Sequence, residues 1–497
     1  MSLTIISASV NFDENLHTLI TASRLAQSKW AAQPVPQRLL LFRKLRALLA
    51  KNSLQLADST ACLRRRPVAE SLTVEVLPLA EACRFLEREA SRLLAPRRLR
   101  SWTRPLWLAG VATEIRREPL GVVLIIGPGN YPLLLPGVQV LQALAAGNAV
   151  LMKPAPGCTG PMRCLLEMLV TAGLDPALCT LLPESTEAAQ AALAADIDKV
   201  LFTGSAATGE TILTQLAARL LPATMELSGC DAVLVRADAD LDLTVRALAF
   251  GLRLNAGETC MAPRRVFVHR SIATELEGRL AKNFPGWNDQ TILTSAAAKK
   301  LRPLLEEALA TGAHLVTGSI HRDGSIRAPV ILAGVSPLLR VLREDVFASV
   351  LSLVTIADDN EAVARANDCP YALGASIFTR DEAAGHRLAT QLNVGVVSLN
   401  DVIVPTGDAR VPFGGRKRSG FGVTRGGEGL LELTVPKVVT ISRSKFRPAL
   451  DAPQPGDEWL FISYLRFTHG LGWKSRSQAL FQLLRRLVAR GKSINKK

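Results

Sequence analysis

The chain carries eight cysteines and not one C-x-x-C pair. They stand scattered at 62, 83, 158, 164, 179, 230, 260 and 369, which argues against a zinc cage or a disulfide framework and for a reducing compartment. The six histidines (17, 269, 314, 321, 386 and 469) form no cluster, so neither a metal centre nor a Cys-His hydrolase is expected. No basic segment leading into an apolar block follows Met1-Ser2-Leu3-Thr4, so no signal peptide is expected and the expected location is cytoplasmic. Internal repeats and low-complexity tracts are also missing. Charge is missing from one long run, Pro119 to Met152, which could pass for a membrane span. Gly127-Pro128-Gly129-Asn130-Tyr131-Pro132 breaks it in the middle, and neither half is long enough to cross alone. Strand, loop and buried helix is the better reading.

What is present is an ordinary globular composition, 48% hydrophobic and 21% charged, in a chain of 497 residues that calls for two to four domains. Its net charge of +15 is unevenly spread: twelve Lys/Arg against three Asp/Glu lie from Val438 onward. A mildly basic body with a basic tail is not the pattern of a nucleic-acid enzyme.

Residues 12–95 read as helices, Arg38–Leu49 and Val76–Leu86 carrying apolar residues near a 3.6-residue period. Pro78 then falls in a first helical turn, where it is tolerated. Trp102 to Arg117 alternates and suggests a hairpin arm. From 121 to 227 short apolar runs at 122–126, 149–152, 179–182, 199–202 and 223–227 alternate with helical stretches, the pattern of a parallel sheet covered on both faces. Ligands of such sheets bind at the C-terminal strand ends, here the Gly127–Pro132 and Thr203–Gly209 loops. A second αβ region runs from Ala232 to about Val411, with strands at 265–269 and 350–356 and a helix at 296–310. Pro412–Gly422 is too rich in glycine for regular structure, and 431–440 reads as a strand.

The chemistry-bearing residues cluster in the stretch from Met225 to Arg265. Cys260 is a candidate nucleophile and Glu226 a candidate base that activates water, more than thirty positions away. Alone, a buried cysteine is most often a small apolar packer and an isolated glutamate is usually a surface residue. Phe202-Thr203-Gly204-Ser205-Ala206-Ala207-Thr208-Gly209 ends a strand and opens a helix, which suits a pyrophosphate or a simple tight link. Asn130, in a rigid loop, offers an amide NH₂ to a developing oxyanion or is a turn asparagine. Lys153-Pro154 follows the next strand, where a lysine holds ribose hydroxyls or phosphate, or is merely solvated.

Taken together these segments resemble the aldehyde dehydrogenase superfamily over roughly residues 12–440. The Asn130 loop, the Lys-Pro pair, the Thr-Gly-Ser turn, the Glu226-Leu227-Ser228-Gly229 segment and the Gly257–Cys260 segment fall in the family's order and spacing. Glu344-Asp345-Val346-Phe347 and Pro412–Gly422 resemble two further family motifs. The resemblance implies an α/β protein of aldehyde-dehydrogenase type, with a Rossmann-type cofactor domain (1–99 and 120–227), an α/β catalytic domain (228–428) and a small β oligomerisation arm (100–119 and 429–440). It implies Cys260 as nucleophile, Glu226 as base and Asn130 as oxyanion donor. NAD or NADP would lie against Ile126, Pro128, Lys153, Gly204, Ser205, Gly209, Leu227, Asp345 and Phe347. The implied reaction is oxidation of an aldehyde to a carboxylic acid through a thiohemiacetal and a thioester on Cys260, in a homodimer or homotetramer.

This chain departs from the family at several of those positions. Gly129 replaces a usual tryptophan and hints at room for a bulky aldehyde. Pro156 replaces a glutamate that clamps the adenine ribose, so NADP becomes as suitable as NAD. Asp345 replaces a longer glutamate. Ser228 and Cys230 also differ and are read as structural. Glu258, where glutamine is usual, would oppose thiol ionisation if it faced Cys260, and is expected to point away. Alternatives are transfer of the acyl group to coenzyme A, a reductive relative, and a catalytically impaired scaffold.

Residues 441–497 form a basic tail beyond the family's usual end. Apolar residues at 480, 483, 484, 487 and 488 share one helical face with arginines beside it, and no acidic residue follows Glu458. Such a helix suits the surface of an anionic membrane or packing on protein, and is too short and charged to span.

Overall fold

The computed structural model describes residues 12–283, 291–443, 450 and 452–494. They fall into two units, one within Met1–Arg97 and Ile115–Lys437, the other within Arg98–Glu114 and Val438–Lys497.

The first unit is built on two large sheets. In one, five parallel strands run in the spatial order Ala223–Leu227, Lys199–Gly204, Val122–Ile126, Ala149–Lys153, Cys179–Leu181. Strands of this kind are apolar on both faces because helices cover both, and Val122, Val123, Leu124 and Ile125 are fully buried. The first strand in sequence sits in the middle, so chain order reverses direction between Val122–Ile126 and Lys199–Gly204. That switch point opens a crevice at the C-terminal strand ends. The helices Leu134–Ala146, Thr159–Ala172, Thr186–Ala194 and Ala206–Ala217 connect the strands, and Phe12–Ala31, Val35–Lys51 and Leu77–Leu93 complete the core. Pro78 does sit at the start of Leu77–Leu93, which follows a π-helical turn at Leu72–Val76.

The second sheet runs Thr291–Ile292, Ile326–Ala333, Val350–Ile356, Pro263–His269, Asp231–Val235, Gly374–Phe378, Val396–Leu399, with His314–Ile320 pairing Ile326–Ala333. It is parallel from Ile326–Ala333 onward. One core lies on each face, built around Leu301, Leu305 and Val354 on one side and Leu248, Leu276 and Val266 on the other.

Three local expectations need correction. The segment 102–117 is not a hairpin: 101–103 and 106–108 are single helical turns and only Val111–Pro119 is a strand. Pro105 supplies no N–H to a ladder and Gly110 turns at φ +84°, so the chain cannot run straight into Val111. Val111–Pro119 pairs instead with Arg97–Arg98 and Thr434–Ser442. The strand expected from 431 starts at Thr434, because Gly426–Leu431 is helical and places Leu430 and Leu433 in the core around the first sheet. Finally, Pro412–Gly422 holds two short strands. Arg416–Lys417 pairs Tyr371–Ala372, and Gly420–Phe421 pairs antiparallel with Met225–Glu226.

In the second unit, Asp457–His469 and Trp473–Ile494 are two helices joined by Gly470-Leu471-Gly472. Leu460, Ser463, Ala479 and Leu483 are buried.

Candidate active site

Cys260 is delivered by an unusual piece of backbone. Helix Leu241–Arg253, capped by the Asp240 carboxylate accepting from Leu243 N–H at 3.0 Å, gives way to three successive residues of positive φ: Asn255 (+50°), Ala256 (+54°) and Gly257 (+73°). Asn and Gly take up left-handed backbone readily but Ala does not, so three such residues in a row call for support from outside. The Asn255 side chain does so. Its amide donates to Asn130 O and Glu258 O at 3.1 Å each, and its oxygen accepts from Arg66 at 3.1 Å. Its backbone N–H donates to the Glu70 carboxylate at 2.7 Å. Gly257 is dictated by contact as well as by φ: a Cβ there would lie 2.5 Å from Ser349 Cα. Tyr131 and Thr259 share a hydroxyl hydrogen bond of 2.6 Å beside the cysteine.

Glu226 comes from the end of Ala223–Leu227, flanked by Thr203 on one side and Gly420 on the other. Gly229, three residues on, lets this strand end approach the cysteine, since a Cβ there would stand 2.7 Å from the Cys260 carbonyl oxygen. The carboxylate is buried. Thr424 Oγ1–H donates to Oε2 at 3.0 Å, while Oε1 is buried without a hydrogen-bond partner. Burial raises the Glu226 carboxyl above the usual carboxylate range, opposed by the charge of Arg425 and the Thr424 hydrogen bond. Burial also pushes the Cys260 thiol up to about 12, with the charges of Glu226 and Asp231 adding to the shift and Arg425 opposing it.

Asn130 lies at the switch-point loop. Its amide donates to Glu258 O at 3.2 Å, which ties the loop directly to the cysteine segment. Glu258 lines the same cavity as Cys260, but its carboxylate is ion-paired with Arg64, and the charges that act most on the thiol are those of Glu226, Asp231 and Arg425. Behind them Arg66 and Glu75 form a fully buried ion pair, and Glu75 also accepts from Leu133 N–H (3.0 Å) and Leu134 N–H (2.7 Å).

Cys260 lines two cavities formed by the described residues. One, of about 430 Å³, is lined by Cys260, Glu226 and Asn130 together with Pro128, Gly204, Ser205, Leu227, Asp345 and Phe347. Ile126, Lys153 and Gly209 do not line it. Ile126 and Lys153 stand side by side at adjacent strand ends, and Gly209 packs on Leu227. Gly129 lines this cavity as well, so the room it leaves is not in the other, apolar one. That second cavity, of about 600 Å³, has walls that include Val74, Leu134, Leu135, Phe250, Met261 and Phe413, with Glu70, Arg253 and Arg425 as its charged members.

The first cavity suits a nicotinamide dinucleotide. It opens at the topological switch point, and Ser205 Oγ caps helix Ala206–Ala217 by accepting from Thr208 N–H at 3.2 Å. Asp345 Oδ1 is buried in it without a partner, an acceptor suited to a ribose hydroxyl.

Residues 4–439 match the family model described as the aldehyde dehydrogenase family. The chain belongs to the aldehyde dehydrogenase family. It is 32% identical over 434 residues to 4,4'-diapolycopene aldehyde oxidase of Methylomonas sp, covering 86% of this chain and 81% of that one. A Mycolicibacterium smegmatis protein, provisionally named succinate-semialdehyde dehydrogenase (NADP(+)), is 31% identical over 447 residues, covering 86% and 85%. Among solved structures, an aldehyde dehydrogenase of Brucella melitensis biovar abortus 2308 superimposes with TM-score 0.81 at 27% identity, covering 87% and 90%. The NADP-dependent glyceraldehyde-3-phosphate dehydrogenase of Bacillus halodurans C-125, complexed with NADP, gives 0.80 at 29%, covering 87% and 92%. As a member, this aldehyde dehydrogenase oxidises an aldehyde to a carboxylic acid with NAD or NADP. Coenzyme A transfer and a purely structural role find no support among these relatives.

Several residues around the site were not singled out from sequence. Arg425, Thr424, Arg64, Arg66, Glu75 and Tyr131 all act through partners distant in the chain. Asn255 alone left a trace, since Asn and the following Gly257 are residue types that suit left-handed backbone.

Proposed function

We propose that Cys260, as thiolate, attacks the aldehyde carbon to give a thiohemiacetal. The Asn130 amide and the Cys260 backbone N–H hold its oxyanion; losing one such donor costs about 10²–10³ in rate. Bound NAD or NADP supplies the hydride acceptor. The resulting thioester on Cys260 is broken by water whose proton passes to Glu226, and the acid leaves. Pro128, Gly204, Ser205, Leu227, Asp345 and Phe347 hold the cofactor, with Ile126, Lys153 and Gly209 shaping the strand and helix ends around it. On this reading 1–99 and 120–227 are the cofactor domain, 228–428 the catalytic domain, and 100–119 with 429–440 the oligomerisation arm. Thr434–Ser442 is an edge strand exposing Val435, Val438 and Ile441, which suits pairing with a second copy in a homodimer or homotetramer.

The substrate we infer is a bulky apolar aldehyde, and the observation that carries this is the mostly apolar wall of the 600 Å³ cavity at Cys260. The Methylomonas relative is named for 4,4'-diapolycopene aldehyde, which agrees with that wall. Arg253 and Arg425 in the same wall favour a second reading, a semialdehyde whose far carboxylate meets a guanidinium, as the name of the M. smegmatis relative suggests. Measuring kcat/KM for apolar aldehydes of graded length and for succinate semialdehyde, each with NAD and NADP, separates the two. A rise with apolar length supports the first; preference for the charged substrate removes it.

The tail we propose as a peripheral contact with an anionic lipid surface. Phe481, Leu484 and Val488 are 70%, 53% and 60% exposed on Trp473–Ile494, with Arg485 beside them. Among the described residues no helix is long and apolar enough to cross a membrane.

A further inference from the structure

Two of the eight cysteines, far apart in sequence, come together in the fold. Cys230 leads into strand Asp231–Val235 and Cys369 follows helix Asp359–Asn367, and both are buried. Their sulfurs lie 3.7 Å and 3.9 Å from one carbonyl oxygen, that of Leu342, and the two thiols are hydrogen-bonded to each other. Backbone contacts pin both residues: Arg265 Nε donates to Cys230 O at 2.8 Å, and Lys417 Nζ donates to Cys369 O at 3.0 Å. Three segments of the site meet here. Gly229, next to Cys230, packs on the Cys260 carbonyl oxygen, where a Cβ would stand 2.7 Å away. Leu342 stands three residues before Asp345, which lines the 430 Å³ cavity with Cys260. Pro370, next to Cys369, accepts from Arg418 N–H at 3.0 Å, just before Gly420 pairs with Glu226. Small apolar packing accounts for one buried cysteine; two thiols aimed at each other and at one oxygen form a dithiol.

We propose that Cys230 and Cys369 are a peroxide-sensitive dithiol, whose oxidation to a disulfide removes support from the Leu342–Asp345 segment and weakens cofactor binding. The weakening rests on the reading of Asp345 as a cofactor residue. The Cys369 thiolate attacks one oxygen of hydrogen peroxide, the O–O bond breaks, and the leaving oxygen takes up a proton and departs as water. The Cys230 sulfur then displaces the hydroxyl of the resulting sulfenic acid, and its proton leaves with that oxygen as a second water. Two thiols and one peroxide thus give one disulfide and two waters. The hydrogen bond from Cys230 holds the Cys369 thiol below the ordinary cysteine range, against burial and with the charges of Arg265 and Arg343 assisting. Burial selects a small, uncharged oxidant. In the reduced pair the thiol protons are shared between the sulfurs and Leu342 O. In the disulfide neither sulfur carries a proton, so that carbonyl loses its thiol donor. The sulfurs must also close to bonding distance, which draws the Gly229 and Pro370 segments toward each other. Cys230 is one of the positions at which this chain departs from its family's usual residues, so the pair belongs to this chain.

The test uses full-length Cys260→Ala protein, in which the nucleophile cannot react with the oxidant, treated with hydrogen peroxide or with dithiothreitol. Remaining thiols are blocked under denaturing conditions and the digest is read by mass spectrometry. The expected product is a peptide pair joined through Cys230 and Cys369 that dithiothreitol separates. Fluorescence titration with NADH and with NADPH should show binding about fivefold weaker after peroxide and restored on reduction. Cys230→Ala and Cys369→Ala in the same background, each checked by its melting temperature, should form no such pair and keep their affinity under peroxide. Both thiols still free after peroxide, or Cys369 carried to a sulfinic acid with no linked pair, overturns the proposal. A linked pair with unchanged affinity overturns it as well, and so does a loss of affinity that persists in the Cys230→Ala and Cys369→Ala proteins. Asp345→Asn is titrated in the reduced state alongside. Unchanged affinity there means that the cofactor reading of Asp345 fails, whereas the dithiol is decided separately by the linked peptides.

Discussion

The Arg64 guanidinium is ion-paired with the carboxylate of Glu258, two residues before Cys260 and 194 positions from Arg64 in sequence, in the wall of the 430 Å³ cavity. The pair explains how a carboxylate is tolerated where the family usually has a neutral amide. Unpaired, it would add a negative charge to a site that already contains Glu226. Arg64→Met should therefore raise the pH midpoint of Cys260 alkylation by about one unit and lower kcat/KM at pH 7. Glu258→Gln alone should do neither, and the double variant should return to the wild-type midpoint. Iodoacetamide inactivation across pH reads all three; an unrestored double variant would show that Arg64 acts by another route.

Cys260 itself gives a second prediction. With its thiol pushed up to about 12 by burial, Glu226 and Asp231, little thiolate exists at pH 7 in the cofactor-free protein. Its alkylation rate should still be climbing at about pH 10, above the range of a free cysteine near 8.5. Glu226→Gln removes an anion that opposes ionisation, so its curve should move to lower pH. A rate already level by neutral pH in the free enzyme would contradict the burial-driven shift.

How far the sequence could lead is visible in these residues. Buried parallel strands are continuous apolar runs, so the segments from Val122 to Leu227 were legible within a residue or two. Cys260, Glu226 and Asn130 were legible because the family motifs recur in order, and the structure brings all three to one cavity. Arg64 and Arg425 were not, since a surface arginine and a buried one look alike until their partners are known. The ion pair that holds Glu258 was hidden for the same reason: its partner, Arg64, lies 194 positions away. The 102–117 segment misled through alternation alone, which Pro105 and Gly110 override.

Pro156 offers a test of cofactor choice. It stands where, by family resemblance, a carboxylate would meet the adenine ribose. Pro156→Glu should repel a 2′-phosphate and leave a 2′-hydroxyl bound, lowering kcat/KM for NADP relative to NAD by about tenfold or more. Steady-state kinetics with both cofactors decides it, and an unchanged ratio would place the ribose elsewhere.

The Arg66–Glu75 pair should matter for stability. Burial raises the Glu75 carboxyl, and the charge of Arg66 and the N–H groups of Leu134 and Leu133 pull it back. Arg66→Ala leaves that acid buried without its cation and frees the oxygen of Asn255, so a loss of about 3–5 kcal/mol is expected by urea unfolding. A loss below about 1 kcal/mol would mean that Glu75 simply takes up a proton and is satisfied by the Leu133 and Leu134 N–H groups.

The tail helices carry the last prediction. Packing divides the apolar face expected from sequence: Leu483 is buried and Leu480 half-buried, while Leu484, Leu487 and Val488 stay exposed, as does Phe481 outside that face. Trp459, Phe461 and Trp473, at 50%, 56% and 77% exposure, add aromatic surface in the same unit. Aromatic and aliphatic side chains with arginines among them favour the interface of an anionic bilayer, where each basic residue near the surface contributes about 1 kcal/mol. The full chain should co-sediment with vesicles containing phosphatidylserine, less so as salt rises, and a chain ending at Thr440 should not. Phe481→Asp with Leu484→Asp should weaken binding in the full-length protein without changing turnover of a short soluble aldehyde. Equal sedimentation of full and shortened chains would rule out the lipid contact, and a change of mass in solution between them would assign the surface to a second copy.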